Sequence, residues 1–287
     1  MTASGPTIVW MQSTGAAPAG WYPWGANAVR WWDGAGWTDQ VAYRGGTAAR
    51  PPRPPHSRHP LPFAVGALGV ILVSLVASRY LLDALVRFHW PIAVYVLLAG
   101  VIGYGPVMSF CWLGGRRWGT GSFRDDSGLY FRAVDAGWGP VTWLSCIGAQ
   151  MVVGVIVVVT GIPITSNTQG VDDLSADRGY VIALLVLAVI AAPIVEEIVF
   201  RGVVLRGLLS HIGPVAAVAI QGVLFGFAHF DPVRGSGNIG LIMVLGAVGV
   251  VLGGAAYRFR RIGPTIIAHG IINAVAMTLA LTGWPNR

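Results

Sequence analysis

From Phe63 onward one pattern repeats: apolar runs of about twenty residues, the length that crosses a bilayer as a helix, separated by short polar stretches. The runs fall near 63–82, 91–113, 140–164, 180–209, 214–230, 238–257 and 262–281, the fifth being the shortest. Composition supports a membrane chain. Apolar residues make up 54% and charged residues 11%, and the mean hydropathy is +0.64. A soluble domain carries about 25% charged residues, so an ordinary cytosolic globule is excluded. Forty glycines and eighteen prolines do not signal disorder in so hydrophobic a chain, and glycine is frequent in membrane helices. The expected fold class is all-α: a polytopic transmembrane helix bundle of about seven spans over 63–287, behind a very small N-terminal β-hairpin unit. Pro193 interrupts the long fourth run and is expected to kink it.

The net charge is +7, and every one of the 19 basic residues is arginine. They lie mostly between apolar runs rather than on a soluble basic face, so no nucleic-acid partner is expected. Arg116, Arg117, Arg124 and Arg132 fall in one inter-span segment and Arg258, Arg260 and Arg261 in another. By the positive-inside rule these segments and the N-terminus face the cytoplasm of a multi-pass cell-membrane protein. The opposite 165–179 loop carries Asp172, Asp173 and Asp177. Cys111 and Cys146 lie in apolar stretches and read as small buried hydrophobes.

The first 62 residues differ from the rest. Residues 1–18 are expected to be a flexible terminus. Residues 19–43 hold Trp21, Trp24, Trp31, Trp32 and Trp37, and Asp33-Gly34 between strand formers signals a hairpin. Residues 44–62 form a Pro/Arg-rich, semi-rigid linker. Gly20-Trp21-Tyr22-Pro23 and Arg30-Trp31-Trp32-Asp33-Gly34 with Trp37-Thr38 resemble a short Trp-rich domain of unknown function found at the N-termini of bacterial membrane proteins. A core this small is marginal alone, so a protein partner or the membrane surface is expected to support it.

Ionisable groups inside a span cost about 2.5–3.5 kcal/mol each on insertion scales, which makes them functional candidates. The fourth span contains Glu196, Glu197 and Arg201. Glu197 and Arg201 are four residues apart and can pair on one helix face. Glu196 points about 100° away, has no partner on its own helix, and suits general-base work. The fifth span ends at Phe225-Gly226-Phe227-Ala228-His229. The last contains His269 and Asn273, which share a face and can serve either as interhelical glue or as donors to an oxyanion. At 1.5 Å per residue from the inner helix ends, Glu196, His229 and Asn273 are expected at about the same depth, with His269 shallower.

Glu196-Glu197-x-x-x-Arg201, Phe225-x-x-x-His229 and His269-x-x-x-Asn273, in order on successive spans, resemble the three motifs of the CAAX-processing and bacteriocin-immunity family of intramembrane proteases. The resemblance covers a core of about 180–281. It implies an intramembrane endopeptidase in which Glu196 activates water and His229 shares that task. His269 and Asn273 stabilise the oxyanion, and Glu197 and Arg201 support the site. The family is often labelled metalloprotease, which makes Glu196, His229 and His269 candidate zinc ligands. The chain lacks a His-Glu-x-x-His helix, and metal-bound and metal-free mechanisms both remain open. Implied partners are membrane lipid and a peptide or membrane-protein substrate. The alternatives are a non-catalytic scaffold or immunity-type protein of the same fold, and a proton-coupled transporter.

Overall fold

The structure, a computed structural model, describes residues 18–24, 28–43 and 59–282. The chain divides into two units, Met1–His56 and Ser57–Arg287. The readings of a flexible terminus over 1–18 and of a linker over 44–62 fall almost wholly outside the described residues.

The first unit is a three-stranded antiparallel sheet rather than a lone hairpin: β1 (Gly20–Pro23), β2 (Ala28–Trp32) and β3 (Trp37–Tyr43), in that order. Asp33-Gly34 makes the β2–β3 turn as expected. Gly34 takes φ +96°, open to glycine without steric cost, and Asp33 Oδ1 accepts from the amides of Ala35 and Gly36 at 2.8 and 2.7 Å. Tyr22, Trp24 and Trp32 lie with ring centroids 5.3–6.0 Å from that of Trp37. Trp21 meets Trp31 edge-on at 5.4 Å. Ring-to-ring packing of this kind substitutes for a larger core.

The second unit contains α1 (Leu61–Leu85), α2 (Ile92–Trp118), α3 (Phe123–Ser127), α4 (Asp135–Val159), α5 (Arg178–Leu209), α6 (Pro214–Phe227), α7 (Asn238–Phe259) and α8 (Gly263–Thr282). All seven expected runs are helical. Six of these helices are long and apolar enough to cross a membrane. The seventh, α6, has 14 residues. At 1.5 Å per residue it reaches about 21 Å, short of a 30 Å hydrocarbon core.

Around Pro193, where a kink was expected, α5 is locally widened. Two π-helical segments, Val186–Ala191 and Ile198–Val204, flank Ala192–Glu197. Proline has no N–H to give. The amide of Ala192 donates five residues back, to Leu187, and in that register the partner of the Ala188 carbonyl is Pro193. That carbonyl is therefore left without a donor from its own helix, as happens at π-bulges.

Glycine sets the closest helix contact. A Cβ on Gly226 of α6 would sit 2.4 Å from the Ile242 carbonyl oxygen of α7, and one on Gly249 2.8 Å from Gly222 Cα. Only hydrogen fits at such positions, the packing that small residues permit between membrane helices. The core runs through Phe63, Val107, Phe200, Phe225, Leu252 and Ile262, with both cysteines free and buried in it.

Two buried arginines lock the helix ends near α3. Arg206 donates from Nη1 to the Asp125 and Asp126 carbonyls at 2.7 and 2.9 Å. Arg261, in the α7–α8 turn, pairs with Asp135 through both Nε and Nη2. His59 Nε2 lies 2.8 Å from the same Asp126 carbonyl, and the Ile262 amide donates to Gly128 at 3.0 Å. These bonds draw the start of α8 into the bundle.

Candidate active site

The widened segment of α5 presents two neighbouring carboxylates in different directions. Glu197 is fully buried, and its Oε1 accepts from Arg201 Nη1 at 2.8 Å, the pair expected from their spacing. The same oxygen lies 3.0 Å from His269 Nδ1 on α8. Arg201 also reaches the Gly249 carbonyl at 3.3 Å and stacks 4.4 Å from the centre of the Phe225 ring. Phe225 in turn meets the rings of His229 and His269 edge-on. The Phe225-x-x-x-His229 spacing thus has a packing reason: one aromatic ring contacts the Arg201 guanidinium and both imidazoles.

Glu196 faces the other way. Its Oε1 accepts a 2.9 Å hydrogen bond from the Tyr104 hydroxyl of α2. Its Oε2 is buried with no hydrogen-bond partner among the described residues, and lies 4.0 Å from His229 Nε2 and 3.9 Å from His269 Nε2. The Nδ1 contacts orient both rings. His229 Nδ1 is 2.9 Å from the Phe225 carbonyl oxygen, which can only accept, so Nδ1 carries the hydrogen. The same holds for His269 Nδ1 against the Glu197 carboxylate. In the neutral rings, both Nε2 lone pairs are then turned toward Glu196 Oε2.

Separations of 3.9–4.0 Å exceed a direct hydrogen bond, and at this distance the natural bridge is water. One water 2.8 Å from Oε2 and from an Nε2 subtends roughly 90°, an angle water tolerates. The donor set, two imidazoles oriented through Nδ1 and a carboxylate, has the chemistry of a zinc site. Its spacing does not fit: ligand atoms around tetrahedral zinc sit about 3.3–3.5 Å apart at bond lengths near 2.05 Å. No group of three His, Cys, Asp or Glu side chains among the described residues is spaced to hold a metal. Solvent access is partial, with Glu196 13% and His229 17% exposed.

The expected depths are corrected in one respect. His269, not Asn273, is level with Glu196. Equal depth presumes that the helix ends share a plane, but contact between His269 and both carboxylates puts the start of α8 about 10 Å further along the bundle than the end of α5. The bonds of Arg261 and Ile262 account for this stagger. Asn273, one turn beyond His269, donates from Nδ2 to the Ala188 carbonyl at 2.7 Å. That is the carbonyl Pro193 leaves unpaired, so the two residues are complementary parts of one local design. His229 lies just past the end of α6, with its carbonyl held by Arg234 at 3.2 Å.

Tyr104 was not singled out by sequence reasoning. The signal available was a hydroxyl-bearing aromatic, one of two in its apolar run with Tyr95, four residues after a glycine. Gly100 lets α2 approach α5 closely: a Cβ there would meet Leu187 Cδ1 at 2.5 Å.

Residues 178–275 match the family model described as Type II CAAX prenyl endopeptidase Rce1-like. No curated protein and no solved structure matches the chain. The matched stretch opens with α5 and closes within α8, so it contains Glu196, Glu197, Arg201, His229, His269 and Asn273, and leaves out Tyr104 and the β unit. From α5 into α8, this multi-pass membrane protein is similar to the Type II CAAX prenyl endopeptidase Rce1-like family.

Proposed function

We propose that the chain is an intramembrane endopeptidase of the cell membrane that hydrolyses a peptide bond at or within the bilayer, in a peptide or membrane-protein substrate, with its N-terminus in the cytoplasm. The observation that carries this reading is the buried, unpartnered Oε2 of Glu196 facing two imidazole nitrogens at water-bridging distance. A water held there loses its proton to Glu196 as its oxygen bonds to the scissile carbonyl carbon. His229 orients the water, and the carboxyl returns the proton to the departing amine as the C–N bond breaks. General-base assistance of this kind is worth about 10²–10⁴-fold. Asn273 keeps one Nδ2 hydrogen beyond its bond to Ala188, and His269 donates from Nε2 in the imidazolium form, its second proton taken from solvent before substrate binds and kept through the cycle. These are the donors assigned to the oxyanion. Because the donor spacing is too open for zinc, no step passes through a metal.

The test is cleavage of a peptide library that includes prenylated CAAX-type sequences. Purified wild type and Glu196→Ala are compared with and without a chelator. Cleavage by the wild type alone, equal in both chelator arms, is the expected outcome. Equal, chelator-insensitive turnover by both proteins removes the catalytic assignment. No cleavage by wild type, together with full biological function of Glu196→Ala, points instead to a scaffold.

A further inference from the structure

We propose that Tyr104 is the positioning residue for Glu196, and hence that α2, outside the family-matched stretch, is a working part of the site. The inference rests on the endopeptidase reading and extends it to a residue that the motif pattern does not contain. A glutamate carboxyl turns easily about its last torsion, which is broad and roughly two-fold. Glu197 is held against such rotation by Arg201 and His269 together. Glu196 has neither. Its hydrogen bond is the 2.9 Å one from the Tyr104 hydroxyl to Oε1. That bond divides the labour of the two oxygens. Oε1 is occupied by a donor from α2, so Oε2 is the oxygen turned to His229 and His269.

Tyr104 is suited to this work. Tyrosine has two side-chain torsions, so little freedom is lost in fixing it. Gly100 and Tyr104 lie one turn apart on the same face of α2. The close approach at Gly100 against Leu187 sets the helix spacing from which the hydroxyl reaches across. The ring packs against the buried core, so its position is fixed by the fold rather than by substrate. Orientation of a catalytic group by such a fixed neighbour is commonly worth 10–100-fold in activity.

The experiment uses the full-length protein in lipid nanodiscs and three variants, Tyr104→Phe, Glu196→Gln and the double variant. Tyr104→Phe is expected to fold, to lower kcat roughly 10–100-fold and to leave KM within about twofold. The double variant should be no slower than Glu196→Gln alone, since the hydroxyl acts only through the carboxylate. A substrate-free readout accompanies the kinetics: the infrared carboxylate band that disappears in Glu196→Gln should shift in Tyr104→Phe. If Tyr104→Phe does not fold, 3,5-difluorotyrosine at position 104 keeps the shape while strengthening the donor, and the same band should move. An unmoved band, or wild-type kcat in folded Tyr104→Phe while Glu196→Gln is inactive, overturns this inference alone. Wild-type turnover by folded Glu196→Gln overturns the endopeptidase reading beneath it.

Discussion

Removing Arg201 tests how the site is supported. Arg201→Ala leaves the fully buried Glu197 carboxylate without its cation, and breaking one side of a buried pair costs about 3–5 kcal/mol. The guanidinium also lies 4.4 Å from the Phe225 ring centre, a contact worth about 2 kcal/mol when desolvated. The two contributions come from one group and do not simply add. In a membrane the partly unfolded chain also finds polar partners, which lowers the net figure. The expected loss is therefore about 3–4 kcal/mol, roughly 10²–10³ in the folding equilibrium. The assay is denaturant unfolding of the protein in mixed micelles, followed by tryptophan fluorescence. The control is Glu197→Gln with Arg201→Met, which removes both charges and keeps an acceptor for His269 Nδ1. It should recover most of the lost stability. A loss under about 1 kcal/mol for Arg201→Ala, or a double variant no more stable than the single one, refutes the account of a buried pair as support.

Gly226→Ala should cost about 1–3 kcal/mol and lower kcat, because its Cβ meets the α7 backbone and displaces Phe225 and His229. Gly148→Ala on α4, where nothing lies within 4 Å, should leave unfolding unchanged or slightly later. Asn273→Ala strands the Ala188 carbonyl and should destabilise by about 1–3 kcal/mol; if Asn273 also serves the oxyanion, kcat falls about 10²–10³-fold. Burial holds the His59 imidazole below its ordinary titration range. The unfolded chain therefore takes up a proton that the folded one refuses. Stability is complete above the ordinary histidine range and declines as pH falls below it. The difference in this decline between wild type and His59→Phe, read by unfolding at a series of pH values, should be clear below pH 6 and absent above pH 8.

The apolar helices were legible because the bilayer demands a length and a hydropathy that few other structures share, and all seven lie within a few residues of the expected ranges. The Glu197–Arg201 pair was legible because helix geometry alone brings i and i+4 together. What depended on non-local contacts was not legible. Tyr104 reaches Glu196 from a helix 92 residues away in sequence, and nothing in its own run announces the partner. The level of His269 was misjudged because the Arg261–Asp135 bonds that stagger α8 join residues 126 apart. Pro193 announced a disturbance of α5, but the Asn273 donor that meets the Ala188 carbonyl comes from α8, 85 residues away in sequence. The third strand of the N-terminal sheet was missed because Gly20–Pro23 is short and bounded by the two residues least typical of strands.

The most direct measurement of the central claim is a single-turnover cleavage in ¹⁸O-labelled water, with product and enzyme analysed by mass spectrometry. A water held at Glu196 Oε2 and attacking the carbonyl puts one ¹⁸O atom into the new carboxyl group in the first turnover and none into Glu196. An unlabelled first product, with the label appearing later in the Glu196 side chain, would mean that the carboxylate itself attacks, and would contradict the water-activation chemistry assigned to this site.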